Sequence, residues 1–173
     1  RIYSPSGNKS MSAVLKEAML ERHSSFIRIS KVGINENIEV TSPNHFINKS
    51  NASSVLLISH GKMVTNSIAA HEISPDFSIF AMDRIKPLDG KLLLSLFEEF
   101  KHLVIVEDNF RSGLYNSLCQ WAVENNAPHV QISSISPEEK YDDVVGNADY
   151  MEDKHGLSPK KISDRIRQII KNI

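Results

Sequence analysis

Four short apolar runs recur between residues 55 and 133, and no other feature limits the possible folds as strongly. The runs are Val55–Ser59, Phe77–Met82, His102–Glu107 and His129–Ser133. A predicted helix follows each of the first three, near residues 63–73, 90–100 and 113–125. Strands that are apolar on both faces and alternate with helices are typical of a parallel sheet covered by helices on both sides. The sequence therefore predicts an α/β fold with three layers, α/β/α, around a mainly parallel, mixed sheet of about five strands.

The first part of the chain does not follow this alternation. Residues 8–22 place apolar side chains at helical spacing, and Phe26–Ser30 has a short β-type pattern. Residues 33–52 are polar and rich in turn-forming residues, apart from a candidate strand at Ile38–Thr41. This pattern indicates an incomplete α/β unit followed by a linker.

The chain is therefore predicted to consist of two parts. Residues 1–50 contain the incomplete unit and the linker, and residues 51–173 form the three-layer domain. The second part closes with a helix predicted at Ser158–Asn172, where Ser158 is a natural N-cap and Pro159 occupies the first helical position.

The composition disfavours nucleic acid and membranes as partners. The chain has 20 basic and 21 acidic residues and a net charge near −1, so it has no overall positive field for either. No apolar run approaches the roughly 20 residues that span a bilayer. Cys119 is the single cysteine, which leaves no intrachain disulfide and no cysteine cluster for a metal. A reducing, cytoplasmic compartment is the simplest expectation.

Ligands of an open α/β sheet usually bind at the loops that follow the carboxyl ends of the strands. Here these loops are residues 59–62, 83–89, 107–113 and 134–143. None of them contains GxGxxG or the GxxxxGKS/T sequence of a phosphate-binding loop, so nucleotide binding is disfavoured. Gly61 and Gly113 are more simply explained as residues of tight turns that lead into helices.

The other polar residues of these segments fit structural roles better than catalysis. His60 could act as an acid, a base or a ligand, but no histidine or cysteine accompanies it at metal-ligand spacing. We therefore favour a packing or interface role for His60. Cys119 lies in a predicted helix beside Trp121, which favours a buried structural thiol, and the acidic residues within 138–143 fit a solvated loop. The sequence predicts no catalytic residue and no metal site on this chain.

Arg28 differs from these residues because it lies within a strand-like run near the predicted domain boundary, with Lys31 three residues later. A guanidinium can bind a phosphate or a carboxylate through two hydrogen bonds. The residues alone leave two interpretations open, an anion-binding arginine and a surface salt bridge.

Four features, read in order, resemble the end of enzymes of the thiamine-diphosphate-dependent transketolase superfamily. They are residues 4–33, residues 55–64, the pair 85–89 and 106–109, and residues 146–157. The first resembles the last helix and strand of the pyrimidine-binding domain, and the second the opening strand and turn of the C-terminal domain. The pair reads IKPLD and VEDN, similar to the family motifs KPLD and VEEN. The last places a glycine and a Gly-Leu pair ten residues apart before the final helix.

This resemblance, which extends to 1-deoxyxylulose-5-phosphate synthase, 2-oxoacid dehydrogenase beta chains and split transketolases, implies a fold and a function. Residues 1–50 would be the end of a pyrimidine-binding domain with a linker, and residues 51–173 the transketolase C-terminal domain. The chain would be the C-terminal portion of a transferase of two-carbon ketol or acyl units. It would serve dimerisation and formation of the substrate channel, and it would be inactive alone.

The resemblance also implies ligands, partners and site residues. Thiamine diphosphate and magnesium would be held by other regions of the complete enzyme, so none is expected on this chain alone. Expected partners are a second copy in a homodimer, an N-terminal transketolase subunit or domain, or both, with a sugar phosphate or a 2-oxo acid as substrate. Arg28 matches an arginine that contacts the substrate phosphate. His60, Glu107 and Asn109 are candidate channel or interface residues.

Several residues depart from the family pattern. Ala81 and Asp83 replace the aspartate and arginine that usually precede KPLD. In the loop after VEDN only Gly113 remains, with Leu114 and Asn116 at the other glycine or small-residue positions. These departures suggest a divergent or split enzyme. The glycines lost after Glu107 also favour a second hypothesis, a non-catalytic interaction or regulatory module that retains the fold. A flavodoxin-type or dinucleotide-binding domain is a third, disfavoured by the missing glycine-rich loop.

Overall fold

The computed structural model describes residues 1–30 and 40–172. The strands are β1 (Ile2–Tyr3), β2 (Phe26–Ile27), β3 (Asn44–Asn48), β4 (Val55–Ser59), β5 (Ser78–Met82), β6 (Arg84–Lys86), β7 (His102–Val106) and β8 (Gln131–Ile135). The helices are α1 (Asn8–Leu20), α2 (Met63–Ile73), α3 (Gly90–Glu99), α4 (Leu114–Glu124), α5 (Ala148–Lys154) and α6 (Pro159–Lys171). Lys31 and the first two residues of the candidate strand at Ile38–Thr41 lie outside the described residues, and the other two are not in a strand.

The predicted mixed sheet is confirmed, with five strands in the order β3-β5-β4-β7-β8. The pairs β5–β4, β4–β7 and β7–β8 are parallel, and only the edge strand β3 runs antiparallel to its neighbour. Every residue of β4, β5 and β7 is buried, which explains why these strands read as continuous apolar runs.

The two faces of this sheet carry separate apolar clusters because successive strand residues point to opposite sides. In β4, Leu57 joins a cluster with the buried residues of α2 and α6, whereas its neighbours Leu56 and Ile58 join a cluster with α3 and α4. Helices thus cover both faces, and the predicted three-layer α/β/α architecture is confirmed.

Two strands of the large sheet differ from the sequence-based expectation. Residues 44–48 form β3 although their composition predicts a linker, because Phe46 packs edge-on against Phe80 with ring centroids 5.0 Å apart. The fourth predicted strand, His129–Ser133, is displaced by two residues to β8, where Gln131 pairs with His102. Both differences concern the edges of the sheet, where fewer residues are buried and the apolar pattern is weaker.

Strands β1 and β2, from the first 30 residues, form a second, smaller sheet with β6 in the order β2-β1-β6. This small sheet is tied to the large one at Ser4. The Ser4 N–H donates to the Asp83 carbonyl (2.7 Å), and the Gly61 N–H donates to the Ser4 carbonyl (2.9 Å). The loop between β1 and α1 therefore lies directly over the ends of β4 and β5.

Candidate functional site

The candidate site lies where the small sheet covers the carboxyl ends of β4 and β7. These parallel strands are neighbours, with Ser59 paired to Val106, so the next residues, His60 and Glu107, lie side by side. Arg28 reaches the same place from the end of β2. The structure thus brings together all four residues singled out in the sequence: Arg28, His60, Glu107 and Asn109.

Glu107 is fully buried and holds the start of helix α4. Its Oε2 accepts a hydrogen bond from the Leu114 N–H (2.8 Å), and its Oε1 accepts one from the Tyr115 N–H (3.0 Å). A carboxylate at a helix N-terminus satisfies free N–H groups and is stabilised by the helix dipole. The carboxylate approaches Gly113 so closely that a Cβ there would overlap with Oε2. This contact explains why a glycine is needed at position 113.

His60 lies between Glu107 and the β1–α1 loop. Its Nδ1 is 3.1 Å from Ser4 Oγ, and its Nε2 is 3.9 Å from Glu107 Oε2. Serine, histidine and a carboxylate in this order are the residue types of a nucleophilic triad. However, Ser4 and His60 are each only 3% exposed, and both oxygens of Glu107 are engaged by α4. A substrate cannot reach the hydroxyl, so the geometry favours a packing role for His60.

Asp83 is a second fully buried carboxylate at this junction. Its Oδ2 accepts a hydrogen bond from Ser6 Oγ (3.0 Å) in the β1–α1 loop. The aspartate of the KPLD motif, Asp89, has a comparable structural role. It accepts a hydrogen bond from the Leu92 N–H (3.1 Å) at the start of α3 and a second one from Arg84 Nη2 (3.0 Å). Both carboxylates fix backbone segments rather than face a ligand.

Arg28 lies at the exposed rim of the site and binds Asp108 through both terminal nitrogens. Nη1 donates to Oδ1 (2.8 Å) and Nη2 donates to Oδ2 (2.7 Å), while Nη1 also lies 3.4 Å from Asn109 Oδ1. Burial alone would raise the pKa of Asp108, but the hydrogen bonds and charge of Arg28 outweigh it and lower that pKa. The same hydrogen bonds raise the pKa of Arg28. Both side chains are therefore charged at neutral pH.

Sequence reasoning missed three residues of this site, Ser4, Asp83 and Asp108. Their roles depend on how the small sheet packs over the large one, which single-sequence periodicity does not reveal. The sequence did contain one usable signal. Asp108 stands beside Asn109 in the VEDN motif, on a loop that Arg28, at the end of a predicted strand, could reach.

The described residues do not by themselves fit a magnesium diphosphate group. Among residues 1–30 and 40–172, no three histidine, cysteine or acidic side chains lie close enough together to hold a metal ion. Within the same residues, no helix is both long enough and apolar enough to cross a membrane.

Comparisons of sequence place these features in a family. The sequence profile of the family described as "Transketolase, C-terminal domain" matches residues 47–162. The 1-deoxy-D-xylulose-5-phosphate synthase of Dehalococcoides mccartyi is 30% identical over 155 residues, which span 81% of this chain and 24% of that protein. The corresponding synthase of Aliarcobacter butzleri is 25% identical, over 69% of this chain and 20% of that protein. The chain thus spans a quarter or less of the curated relatives it matches.

Comparisons of structure agree on the fold. A split-gene transketolase solved as an inactive β4 tetramer has a TM-score of 0.78 and 17% identity, covering 96% of this chain and 56% of that chain. A Pichia stipitis transketolase in complex with sedoheptulose-7-phosphate has a TM-score of 0.73 and 12% identity, covering 96% of this chain and 24% of that chain.

Proposed function

This chain belongs to the transketolase C-terminal domain family, and we propose that it is the C-terminal portion of a thiamine-diphosphate-dependent transferase of two-carbon ketol or acyl units. In this proposal the cofactor and magnesium bind to other domains or subunits of the complete enzyme, in the cytoplasm. Residues 1–50 are the end of a pyrimidine-binding domain with its linker, and residues 51–173 are the C-terminal domain. The chain supplies an interface and part of the substrate channel, and it is inactive alone.

The observation that carries the proposal is the exposed apolar surface of α1 and β2, which comprises Met19, Leu20 and Phe26. Helix α1 buries Ala13 and Val14 against the rest of the chain, yet it leaves other apolar residues in solvent. Met19 is 84% exposed and Leu20 is 85% exposed, and Phe26 in the edge strand β2 is 64% exposed. Exposed apolar residues beside an unpaired strand edge mark a surface that is covered in the assembled protein.

We propose that an N-terminal transketolase subunit or domain covers this surface, with a second copy of the chain completing the dimer. Within the described residues, β2 and β6 are the two edge strands of the small sheet, and we propose that β2 pairs with a strand of the partner. The split-gene neighbour, whose beta chains were solved as an inactive tetramer, is consistent with chains of this kind associating with one another.

Co-expression with an N-terminal transketolase subunit that carries the cofactor motif tests the proposal. We expect the two chains to co-purify and to show ketol transfer that neither chain shows alone. Met19→Glu should weaken co-purification because it introduces a charge on the proposed interface, whereas Lys91→Glu, on the exposed surface of α3, should not. A complex that forms but never turns over would instead favour the non-catalytic module suggested by the missing glycines after Glu107.

Arg28 is the residue for which we propose direct contact with substrate. It lies at the rim of the site, its guanidinium is partly exposed, and it already binds an oxyanion, the carboxylate of Asp108, through two hydrogen bonds. The proposed ligand is the phosphate of a sugar phosphate, the class of compound bound in the Pichia stipitis structure. A 2-oxo acid is the alternative substrate class. Asn109 would border the channel or interface, whereas His60 and Glu107, which are buried, would support it from beneath.

In the assembled enzyme, Arg28→Ala should raise KM for a phosphorylated substrate by about tenfold, because a bidentate charge-assisted contact is lost. The dissociation constant of thiamine diphosphate should not change. Arg167→Ala is the matched control, since Arg167 lies on α6 and bonds the Ile73 carbonyl, away from the site. Steady-state kinetics measures KM for both variants. An equal KM for the Arg28→Ala and Arg167→Ala enzymes would contradict the assignment of Arg28.

A further inference from the structure

We propose that Asp108 is an intramolecular competitor for the anion site of Arg28, and that it sets how weakly this site binds phosphate. This inference rests on the proposed role of Arg28 and adds a second residue to it. Nothing in the family motif alone predicts it, because the effect depends on the position that the Asp108 carboxylate takes in the folded chain.

The geometry of the pair is the first argument. Both Asp108 oxygens face both terminal nitrogens of Arg28, at 2.8 Å and 2.7 Å. This parallel arrangement of two hydrogen bonds is also how a guanidinium binds two oxygens of a phosphate. The Asp108 carboxylate therefore stands where a phosphate ligand would bind, and both cannot use the same edge of the guanidinium.

Accessibility is the second argument. The Arg28 side chain is 44% exposed and the Asp108 side chain is 31% exposed, so a small anion can reach the pair without disturbing the apolar clusters. Exposed ion pairs contribute little net stability because water and dissolved ions screen them. Breaking the Arg28–Asp108 ion pair therefore costs little free energy, and an anion in solution can replace the carboxylate.

Charge balance is the third argument. The carboxylate cancels the charge of the guanidinium, so an approaching phosphate dianion meets a pair with no net charge and a repelling oxygen at close range. Asparagine at position 108 would keep the size of the side chain and remove its negative charge. We expect Asp108→Asn to bind inorganic phosphate about tenfold more tightly than the natural chain, because a full positive charge is then free to pair.

Titration of the folded chain with inorganic phosphate at pH 7.5 tests the inference, with the arginine side-chain Nε–H resonances in NMR spectra as the readout. The variants are Asp108→Asn, Arg28→Gln and the double variant. Asp108→Ser is a second substitution in case the asparagine variant folds poorly. Asp143→Asn is the matched control, since it removes one negative charge from a residue that pairs with Lys154 instead. A purely structural role of Asp108 would change thermal stability without changing phosphate affinity.

We expect Asp108→Asn to bind phosphate more tightly and to show a shift of the Arg28 resonance on titration. The Asp143→Asn control should bind phosphate no more tightly than the natural chain, and the double variant should lose the increase in phosphate affinity. If Arg28-dependent binding is equal in the natural chain and Asp108→Asn, the competition is overturned while the phosphate role of Arg28 stands. If no variant binds phosphate through Arg28, both are overturned. Co-purification and ketol transfer remain separate measurements, so the proposed place of the chain in the enzyme is judged independently.

Discussion

Gly113→Ala should lower the free energy of unfolding by about 3 kcal/mol, the scale expected when a buried charge loses its partners. A Cβ at this position would overlap with Glu107 Oε2 and lie only 3.1 Å from the Glu107 Cδ. Glu107 cannot yield easily, because its fully buried carboxylate accepts both the Leu114 and the Tyr115 N–H groups. Displacing it leaves a buried carboxylate and the first N–H groups of α4 without hydrogen bonds. Chemical denaturation followed by far-UV circular dichroism measures the effect.

Gly146→Ala provides the control for this prediction. A Cβ at Gly146 would overlap equally with the ring of Tyr150, but that side chain is 52% exposed and can rotate into solvent. We expect its unfolding free energy to change by less than about 0.5 kcal/mol, as for other surface substitutions. Equal destabilisation by the two alanines would contradict the role assigned to Glu107.

Gly156→Val should lower the free energy of unfolding by about 2 kcal/mol, because a β-branched residue is strained in the left-handed region. Gly156 has φ of +76°. It ends α5 in a Schellman motif, in which the Gly156 N–H donates to the Asp153 carbonyl (3.0 Å) and the Leu157 N–H to the Glu152 carbonyl (2.7 Å). This turn places Leu157 in the apolar cluster beneath α6, so its distortion should reach the core.

The control for Gly156→Val is Gly156→Asn, since asparagine tolerates positive φ better than other non-glycine residues. Apart from its two chain neighbours, no described residue has an atom within 4 Å of the Cβ that a side chain would add, so the two variants differ mainly in backbone preference. Thermal unfolding should place the asparagine variant close to the natural chain. Equal melting temperatures of the valine variant and the natural chain would show that the turn accommodates valine without strain, and would contradict the prediction.

The core of the fold could be predicted because each central strand is a continuous apolar run in the sequence. Val55–Ser59 is buried on both faces, as expected for a central strand of a sheet that helices cover on both sides. Strand β3 could not be found in this way, since Asn44 and Asn48 at its ends are polar and its stability comes from the packing of Phe46 on a distant strand. The short helix α5 was missed because none of its residues is buried, so its sequence has no apolar pattern of helical spacing.

The candidate site was predictable in part. His60 and Glu107 follow strands that were correctly placed, and adjacency of parallel strand ends then brings them together. The partners Ser4 and Asp108 could not be predicted, because they meet His60 and Arg28 across sequence separations of 56 and 80 residues. Such contacts depend on how two sheets pack, and residue spacing along the chain carries no information about that.

We propose that this chain completes a thiamine-diphosphate enzyme without holding the cofactor itself. Calorimetric titration of the chain alone with thiamine diphosphate and magnesium tests it most directly. We predict no heat of binding for the isolated chain, and binding once an N-terminal subunit with the cofactor motif is added. Clear one-to-one binding by the chain alone would mean that its own residues build the cofactor site, and would contradict the proposed division of roles.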